Sequence, residues 1–437
     1  MQIHVASATD VGRERTLNED FGLVDPSLGL YIVCDGMGGH AAGEIASRTA
    51  ASTVQAYVRD RMDVLRAIDR GEQPIESAAV IMREAVETAS RTIYEMGKND
   101  RGKKGMGTTC VALLVRGGKG VMAHVGDSRL YLVRQARLYQ LSEDHTFIQE
   151  ALRCGMLTPE QAKQSEHHNI VTRAVGPLER VIVDTLVFDL IVDDTLLLCS
   201  DGLHGYLGEG QELPALLSTA DLDAVSRRLI DLANQRGGSD NITAVVLRAS
   251  SHGASSEADT QRTTIVNQTF ETLQHVDLFV ELTMPELVRV SNACRWVELG
   301  KGEIVIGEGE ASETLFLLLD GAVEVVRNNV RLAELGPGSH FGEMALLSQR
   351  PRSATVRTTA ETRLLALDRH QFYGLLQQDP VLAGKFLWKL AQTLSLRLDD
   401  FYLYHEQVLG MPVKSTLRFG LYPSPFNHPA GGGSGQT

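Results

Sequence analysis

Short apolar segments separated by glycine and polar residues fill much of the first half of the chain, and this pattern predicts β-strands. The predicted strands cover residues 22–24, 29–34, 109–115, 120–125, 129–134, 195–200 and 242–248. Apolar residues recur at helical spacing in 43–59, 76–99 and 222–235, so these longer segments are predicted helices. Together they predict a unit of strands and helices that ends near residue 249.

A small, polar stretch at 250–259 interrupts the pattern and predicts a linker that extends to residue 268. Beyond it, 270–294 has a helical pattern, and short strand-like segments follow, separated by turns. The turns contain Gly300, Gly302, Gly307, Gly309, Gly321, Gly336 and Gly338. Regular turns between short strands predict a small barrel or jelly roll, closed here by helices at 369–376 and 381–404.

The predicted organisation is therefore two domains, 1–249 and 269–408, joined by the linker at 250–268. A tail at 409–437, rich in Pro, Gly and Ser, is predicted to be disordered. The length of 437 residues agrees with two domains, because it exceeds one ordinary hydrophobic core.

Composition narrows the class of protein. The net charge of −13 argues against general binding to nucleic acid or to anionic membranes. No apolar run reaches membrane-spanning length and no signal segment precedes the first strand, so the expected location is the cytoplasm. The five cysteines are scattered and show no zinc-binding spacing, which favours buried thiols in a reducing compartment.

Aspartates lie at the edges of predicted strands throughout the first domain. Asp35 begins the segment Asp-Gly-Met-Gly-Gly-His directly after the strand at 29–34. Asp127, Asp201 and Asp240 have similar positions beside glycine or serine, and Asp20 lies just before the strand at 22–24. Asp-Gly alone is also an ordinary turn dipeptide, so the prediction depends on these motifs occurring together. Oxygen ligands from several strands suit Mg²⁺ or Mn²⁺ rather than zinc.

Taken in order, these motifs resemble those of the metal-dependent protein serine/threonine phosphatases, the PPM or type 2C family, in its bacterial form. The resemblance spans roughly residues 1–248 and includes Gly-Met-Gly-Thr-Thr at 105–109. It implies an α-β-β-α sandwich, a flap at 143–176 and hydrolysis of phosphoserine or phosphothreonine at a centre of two Mg²⁺ or Mn²⁺ ions. Every matched position has the expected residue type, which favours an active enzyme over a pseudophosphatase.

The resemblance also implies roles for single residues. Asp35 would bridge the two ions as the central catalytic carboxylate, and the carbonyl of Gly36 would be a further ligand. The other implied metal residues are Glu19, Asp20, Asp201 and Asp240, with Asp127 at a third, weaker ion.

Arg15 and His40 complete the implied catalytic set. Arg15 matches the phosphate-binding arginine, and His40 matches a general acid for the departing oxygen. Each also has a simpler interpretation. Arg15 could form a surface ion pair with Glu14, Glu19 or Asp20, and His40 could be an ordinary loop histidine.

Three further features have mainly structural interpretations. Asp127 could cap a turn instead of binding an ion. The Asp-His-Thr sequence at 144–146 is interpreted as part of the flap or a strand end. Cys34 and Cys199 flank the implied site, and we expect both to fill the core.

The second domain contains Gly-Ser-His-Phe-Gly-Glu-Met-Ala-Leu-Leu at 338–347, followed by Pro-Arg-Ser-Ala-Thr-Val at 351–356. A short helix beginning near Phe341 would direct free N–H groups at an anion. The two segments resemble the phosphate-binding cassette of cyclic-nucleotide-binding domains, which are catabolite-activator-like β-rolls, and the resemblance spans roughly 272–404. It implies Glu343 as the ribose acceptor, Arg352 as the partner of the cyclic phosphate and Ser353 as a contact to the phosphate or base. The implied nucleotide-binding residues are Phe341, Gly342, Glu343, Met344, Ala345, Arg352 and Ser353.

The alternative for this domain is a scaffold or dimerisation unit that does not bind nucleotide. Ser353 does not separate cAMP from cGMP, although cAMP is preferred. The chain beyond Tyr404 is too short and too rich in Pro and Gly for a helix-turn-helix, so a transcription factor is not expected.

The sequence therefore predicts an α+β protein with two domains: a cytoplasmic metal-dependent protein phosphatase fused to a cyclic-nucleotide sensor. Its expected partners are phosphoproteins of a cognate serine/threonine kinase system and a cyclic nucleotide, without nucleic acid or membrane. Two alternatives stay open. One is a non-catalytic, nucleotide-responsive scaffold for phosphoproteins, and the other is an active phosphatase whose second domain only forms a homodimer.

Overall fold

The structure is a computed structural model, and it describes residues 1–38, 41–165, 170–207, 212–251, 257–347 and 350–409. The chain divides into two compact units. The first contains residues 1–152 and 156–266, and the second contains residues 153–155 and the chain from 267 onward. The predicted tail, apart from Leu409, lies outside the described residues.

Two antiparallel sheets form the centre of the first unit. Their strands are β1 (Gln2–Asp10), β2 (Asp20–Asp25), β3 (Leu30–Met37), β4 (Gly107–Thr108), β5 (Cys110–Arg116), β6 (Lys119–Val125), β7 (Arg129–Arg134), β8 (Arg137–Gln140), β9 (Asp184–Asp189), β10 (Thr195–Cys199) and β11 (Ile242–Ser250). One sheet has the order β1-β11-β10-β7-β8. The other has the order β2-β3-β5-β6-β9, with β4 paired to β3.

Helices cover the outer faces of both sheets. They are α1 (Ala41–Arg59), α2 (Met62–Asp69), α3 (Glu76–Asn99), α4 (Phe147–Arg153), α5 (Pro159–Lys163), α6 (Asp201–His204), α7 (Glu212–Leu217) and α8 (Leu222–Gln235), with a 3₁₀ turn at Arg101–Lys103. Helices α1 and α3 pack on the six-stranded sheet, and α8 packs on the other one. The predicted α-β-β-α sandwich is therefore confirmed.

Strand β3 shows why the central segments are apolar throughout. Its alternate residues Leu30, Ile32 and Cys34 pack under α1 and α3, while Tyr31 and Val33 between them are also fully buried. A strand covered on both faces needs apolar residues on both faces, so residues 30–34 of β3 are a continuous apolar run. Cys34 is buried in this core, as expected from the sequence.

The second unit is a β-roll with flanking helices. Its elements are α9 (Glu257–His275), a 3₁₀ turn (Asp277–Phe279), α10 (Met284–Ala293), β12 (Arg295–Leu299), β13 (Ile304–Ile306), β14 (Thr314–Asp320), β15 (Val323–Arg327), β16 (Val330–Leu335), β17 (His340–Phe341), α11 (Met344–Leu347), β18 (Thr355–Thr358), β19 (Thr362–Asp368), α12 (Arg369–Gln378) and α13 (Pro380–Leu409). The sheets have the orders β12-β19-β14-β17 and β13-β18-β15-β16.

Strand β14 divides the core of the roll into two parts. Leu315, Leu317 and Leu319 pack with the helices, whereas Phe316 and Leu318 pack between the two sheets. Side chains alternate across a strand, so one apolar run serves both parts. The predicted jelly-roll domain with flanking helices is confirmed.

Helix α9 differs from the sequence expectation, because residues 257–268 were predicted to belong to an unpatterned linker. Its first turn contains Glu257 and Asp259, and acidic residues near a helix N-terminus stabilise the helix. Within the first unit, Arg262 Nη2 donates to Gly118 O at 2.6 Å and to Asp189 Oδ1 at 2.9 Å. These contacts fix the beginning of α9 to the β5–β6 turn and the end of β9.

None of the helices among the described residues has the length and apolarity needed to cross a membrane.

The buried ion pair between Arg134 and Asp194 provides a test of the first unit's core. Arg134 donates from Nε and Nη2 to Asp194 at 2.8 and 2.7 Å, and both side chains are buried. Asp194→Ala leaves the guanidinium without its carboxylate, and we expect the free energy of unfolding to fall by about 3–5 kcal/mol. The measurement is chemical denaturation followed by far-ultraviolet circular dichroism.

Glu72→Ala is the matched control, because it removes an exposed carboxylate that also pairs with an arginine, Arg70. It should leave the denaturation midpoint nearly unchanged. Equal effects of the two substitutions would contradict the importance of the buried pair.

Candidate active site

The pairing of β2 with β3 brings two carboxylates together. Asp20 lies directly opposite Asp35 in the antiparallel register. Directly opposed residues project from the same face of a sheet, so both carboxylates point to one side. Ser200 Oγ, at the end of β10, donates to Asp20 Oδ2 at 2.6 Å and so connects the second sheet to this pair.

The Gly-Met-Gly-Thr-Thr segment holds the end of β3 in place. Asp35 N donates to Thr109 Oγ1 at 2.9 Å, while Thr109 N and Thr108 Oγ1 each donate to Asp35 O at 2.8 Å. Gly36 follows in a space that admits no side chain, since a Cβ would lie 2.2 Å from Gly43 O. The backbone around Asp35 is therefore fixed by a motif more than 70 residues away in sequence.

Asp201 and Asp240 reach the same region from the neighbouring strands β10 and β11. The loops that carry them are in contact, because a Cβ on Gly202 would lie 2.1 Å from Asn241 O. Asn241 Nδ2 donates to Val11 O and Leu17 O at 2.9 Å.

Asn241 also accepts a hydrogen bond from Glu19 N at 2.7 Å, through Oδ1. It therefore fixes the whole N-terminal loop that contains Arg15 and Glu19. Sequence reasoning gave Asn241 no role, although its place directly after Asp240 was a usable signal.

Burial and mutual repulsion raise the pKa values of these carboxylates. Burial raises the pKa of Asp20 to about 7, with a further contribution from the charges on Asp201 and Asp240. Burial also raises the pKa of Asp35 well above its usual range, and the charges on Asp20 and Asp201 add to it. For Asp127, burial and then the charge on Asp201 raise the pKa to about 7. Five acidic residues thus form one electrostatic group that a cation would stabilise.

The donor set fits hard divalent cations. Asp20 Oδ1 and Asp201 Oδ1 are buried and have no hydrogen-bond partner in the part of the chain that the structure describes. In that same part, no three or more His, Cys, Asp or Glu side chains are arranged to hold one ion by themselves. Mg²⁺ usually takes only one or two carboxylates and keeps several waters, so the carboxylates and the Gly36 carbonyl remain compatible with such ions.

Arg15 lies at the edge of this acidic group. Its Nη2 contacts Asp240 Oδ2 at 2.8 Å, and its side chain is 52% exposed. The surface pairs considered from sequence, with Glu14, Glu19 or Asp20, are not the ion pair recorded for Arg15. His40, the other predicted catalytic side chain, lies outside the described residues.

The loop after β6 places Asp127 next to a cleft of about 580 Å³. The cleft is lined among others by Asp127, Arg129, Asp144, Asp201, Tyr206 and Asp240. Arg129 donates to both oxygens of Asp144, with its shortest contact at 2.6 Å from Nη2. Asp144 therefore supports the wall of the cleft, in agreement with its interpretation as strand-end structure.

In the second unit, the two segments that resemble a phosphate-binding cassette, 338–347 and 351–356, meet where the backbone of Gly342 contacts the side chain of Arg352. Gly342 has a φ of +83°, and a Cβ there would lie 2.6 Å from Arg352 Nη1. Arg352 is buried and donates to Gly342 O at 3.1 Å, to Ser312 Oγ at 2.8 Å and to Thr314 O at 2.6 Å. Its buried Nε has no partner among the described residues.

The other cassette residues lie on both sides of this contact. Phe341 is buried and stacks on Phe316 with ring centroids 5.5 Å apart. Glu343 and Ala345 are buried. Met344 and Ser353 are exposed.

The family model described as protein phosphatase 2C matches residues 13–247. The chain belongs to the protein phosphatase 2C family. A second model, described as a cyclic nucleotide-binding domain, matches residues 296–379. These matches confirm the predicted metal-dependent protein serine/threonine phosphatase and the predicted nucleotide-binding type of fold in the second unit.

Individual relatives align with the phosphatase unit. The chain is 36% identical over 248 residues to the serine/threonine phosphatase stp of Listeria welshimeri, which covers 56% of this chain and 95% of the relative. The solved structure of the S. agalactiae serine/threonine phosphatase is 35% identical, has a TM-score of 0.50 and covers 57% of this chain and 100% of that one. The solved structure of the Mycobacterium tuberculosis serine/threonine phosphatase PstP/Ppp is 30% identical and has a TM-score of 0.51. The match covers 57% of this chain and 99% of that one.

The raised pKa values predict how metal-free phosphatase stability depends on pH. An unfolded aspartate has a pKa of about 3.9, whereas Asp20 and Asp127 have pKa values of about 7 in the folded protein. The folded state therefore holds more protons between these limits, and each group lowers stability as pH rises from about 4 to about 7. Desolvation lowers the pKa of buried His124 to about 4 and that of half-buried His204 to about 3, and these two groups act in the opposite direction.

Comparison with Asp20→Asn isolates the carboxylate contribution. In EDTA, the variant should become more stable than the parent as pH rises from about 4 to about 7, by on the order of a few kcal/mol. Thermal unfolding across this pH range provides the measurement, and saturating Mn²⁺ should remove the parent's disadvantage. A constant difference across the pH range would contradict the raised pKa.

Proposed function

We propose that this chain hydrolyses phosphoserine and phosphothreonine in proteins at a binuclear Mg²⁺ or Mn²⁺ centre, and that a cyclic nucleotide bound to its second unit changes this activity. One observation supports the catalytic part most strongly. The Asp20–Asp35 pair of one sheet and the Asp201 and Asp240 loops of the other form one acidic group whose charges repel, with Asp20 buried and Asp240 34% exposed beside Arg15. Such an arrangement costs stability unless cations bind there.

The residues proposed to hold the ions are Asp35 with the Gly36 carbonyl, together with Glu19, Asp20, Asp201 and Asp240, and Asp127 for a third, weaker ion. When bound, two divalent ions supply an activated water and positive charge on the phosphate oxygens. Arg15 is half-exposed beside Asp240 and can offer its remaining donors to a phosphoryl group in a fork geometry. His40 is the proposed proton donor to the departing serine or threonine oxygen.

The cleft next to the acidic group supports a protein substrate. It is lined by both charged and uncharged side chains, including Thr146, Ile148 and Gln149 of the flap segment. A phosphorylated side chain can thus enter between Asp127 and Asp240 while the flanking peptide contacts these flap residues. The proposed substrates are phosphoproteins of a serine/threonine kinase system in the cytoplasm.

For the second unit, we propose that Glu343 accepts from the ribose hydroxyl and that Arg352 pairs with the cyclic phosphate, with cAMP preferred. The buried Nε of Arg352 supports this role, since it retains a donor for an anion. Nucleotide binding would move the C-terminal helices and change the order of the flap at 143–176. The coupling between nucleotide binding and activity can be no larger than the nucleotide's difference in affinity for the two states.

A specific observation favours the alternative of a nucleotide-blind domain. Arg352 already donates three hydrogen bonds to Gly342, Ser312 and Thr314, which is enough for a purely structural role. In that case the second unit would serve assembly, for example as a homodimer.

The catalytic proposal predicts the behaviour of Asp35→Asn. This substitution removes the charge of the central carboxylate and should lower turnover of a phosphothreonine peptide with Mn²⁺ by at least about 100-fold, because loss of even outer-shell partners of metal ligands typically costs 10–100-fold. Asp63→Asn, at a fully solvated site on α2, should retain full activity. Unchanged turnover in Asp35→Asn would refute the mechanism, and an inactive parent that binds Mn²⁺ would favour the scaffold.

The regulatory proposal predicts the behaviour of Arg352→Ala. Isothermal titration with cAMP and cGMP should show binding to the parent, and at least about a tenfold loss of affinity in the variant, because a charge-assisted hydrogen bond is lost. Phosphatase activity without nucleotide should be preserved. Two other results would support the nucleotide-blind alternative: no binding by the parent, or identical binding by both proteins.

A further inference from the structure

The aspartate proposed for the weaker ion follows a glycine in a conformation that other residues avoid. Gly126 has a φ of +107°, and a Cβ there would lie 2.6 Å from Thr109 Cβ. Only glycine fits this turn, and glycine alone is flexible, so the direction of Asp127 depends on what holds the turn.

Three histidines hold the backbone of this turn, one for each of its residues; His124 and His145 are buried, and His204 is half-buried. Gly126 N donates to His145 Nδ1 at 3.1 Å, and His145 N donates to Gly126 O at 2.8 Å. His204 Nε2 contacts Asp127 O at 2.9 Å, and His124 Nε2 contacts Ser128 O at 2.8 Å. These carbonyls can only accept, so both Nε2 atoms carry protons.

His145 differs from the other two because it binds both polar groups of its glycine. Its Nδ1 accepts from an amide, so the proton must lie on Nε2. Nε2 faces Asp184 Oδ2 at 3.1 Å, and Arg173 Nη1 binds the other oxygen of Asp184 at 3.1 Å. Arg173 Nη1 also lies 3.3 Å from Nε2, which cannot accept from it in this tautomer. Asp184 therefore selects the form of His145 that can accept from Gly126.

His145 also connects this turn to the base of the flap. Thr172 N donates to His145 O at 2.8 Å, and the adjacent Thr146 forms a β-bridge with Val171. One residue thus fixes both the turn that presents Asp127 and the place where the flap returns to the body of the unit.

We propose that His145, with its tautomer selected by Asp184, is a positioning residue that sets the direction of the Asp127 carboxylate for binding of the weaker Mn²⁺ or Mg²⁺ ion. The inference rests on the proposed function, because it takes Asp127 to be a metal-binding residue. It adds a defined role for the His145–Asp184 pair, whose side chains do not reach the acidic group themselves.

The test compares two substitutions of His145, to Asn and to Gln, whose side-chain amides can each take the place of one ring nitrogen. In His145→Asn, the amide oxygen can take the place of Nδ1 and accept from Gly126. In His145→Gln, the amide nitrogen can take the place of Nε2 and donate to Asp184, but the acceptor for Gly126 is lost. Asp127→Ala and the double variant His145→Gln with Asp127→Ala complete the set.

The main readout is Mn²⁺ binding to the full chain, measured from the electron paramagnetic resonance signal of free Mn²⁺. Thermal unfolding in EDTA monitors the fold, and turnover of a phosphothreonine peptide against Mn²⁺ concentration is the second readout. We expect His145→Gln to weaken the weakest binding step by about 10–100-fold, as typical for loss of an outer-shell partner, and His145→Asn to stay near the parent. The double variant should bind Mn²⁺ no more weakly than Asp127→Ala alone, because both changes remove the same interaction.

Several results would overturn the proposal. One is a loss of thermal stability in His145→Gln with an unchanged Mn²⁺ isotherm, which would make His145 purely structural. Another is a double variant whose loss of Mn²⁺ affinity equals the sum of the losses, in free energy, of the two single variants. If Asp127→Ala left the isotherm unchanged, Asp127 would not be a metal residue, and the role of His145 would fail with it. Normal Mn²⁺ binding without hydrolysis in the parent would instead refute the proposed function and leave the positioning role testable on the isotherm.

Discussion

Repulsion between clustered carboxylates, most of them largely desolvated, is the constraint on which the first unit depends. Asp20, Asp35, Asp127, Asp201 and Asp240 come from different segments of two sheets, and in water they would separate. The fold keeps them together with hydrogen bonds to the backbone of Asp35 and Asp127 and to one carboxylate oxygen of Asp20. The carboxylates therefore remain available to a cation, because the supporting bonds leave buried oxygens such as Asp201 Oδ1 without a protein partner among the described residues.

The supporting residues are mostly neutral, and this choice has a physical reason. Thr109, Ser200, Asn241 and the histidines around residues 126–128 fix geometry without adding or neutralising charge. A lysine or arginine in their place would compete with the metal ions for the same carboxylates. The exception is Arg15, which is half-exposed at the edge and pairs with Asp240, in keeping with its proposed role toward a phosphate.

Local patterns predicted most strands and helices of the first unit, the small barrel or jelly roll of the second and the acidic residues at strand ends, and the resemblance to a phosphatase family implied the sandwich. Apolar runs such as 29–34 and Asp-Gly motifs at strand ends are readable one segment at a time. Strands β1 and β9 were missed since polar residues interrupt their apolar alternation, and the start of α9 was missed because its sequence is polar. The partner of Arg15 and the histidine contacts were also missed, because residues such as Arg15 and Asp240 are distant in sequence and meet only after the sheets pair.

Strand β9 carries a carboxylate at each end, and the two have different attachments. Asp189 accepts from Arg262 of α9 and lies opposite Lys119, whereas Asp184 accepts from His145 and lies opposite His124. Asp184 and Asp189 are five residue steps apart along the strand, a separation of roughly 17 Å, and the continuous register with β6 prevents slippage along that length. Strand β9 is therefore a rigid element with helix α9 attached at Asp189. At Asp184 it is attached, through His145, to the turn that contains Asp127. A displacement of the start of α9 would act on the same strand that holds His145, beside the turn of the proposed metal residue Asp127.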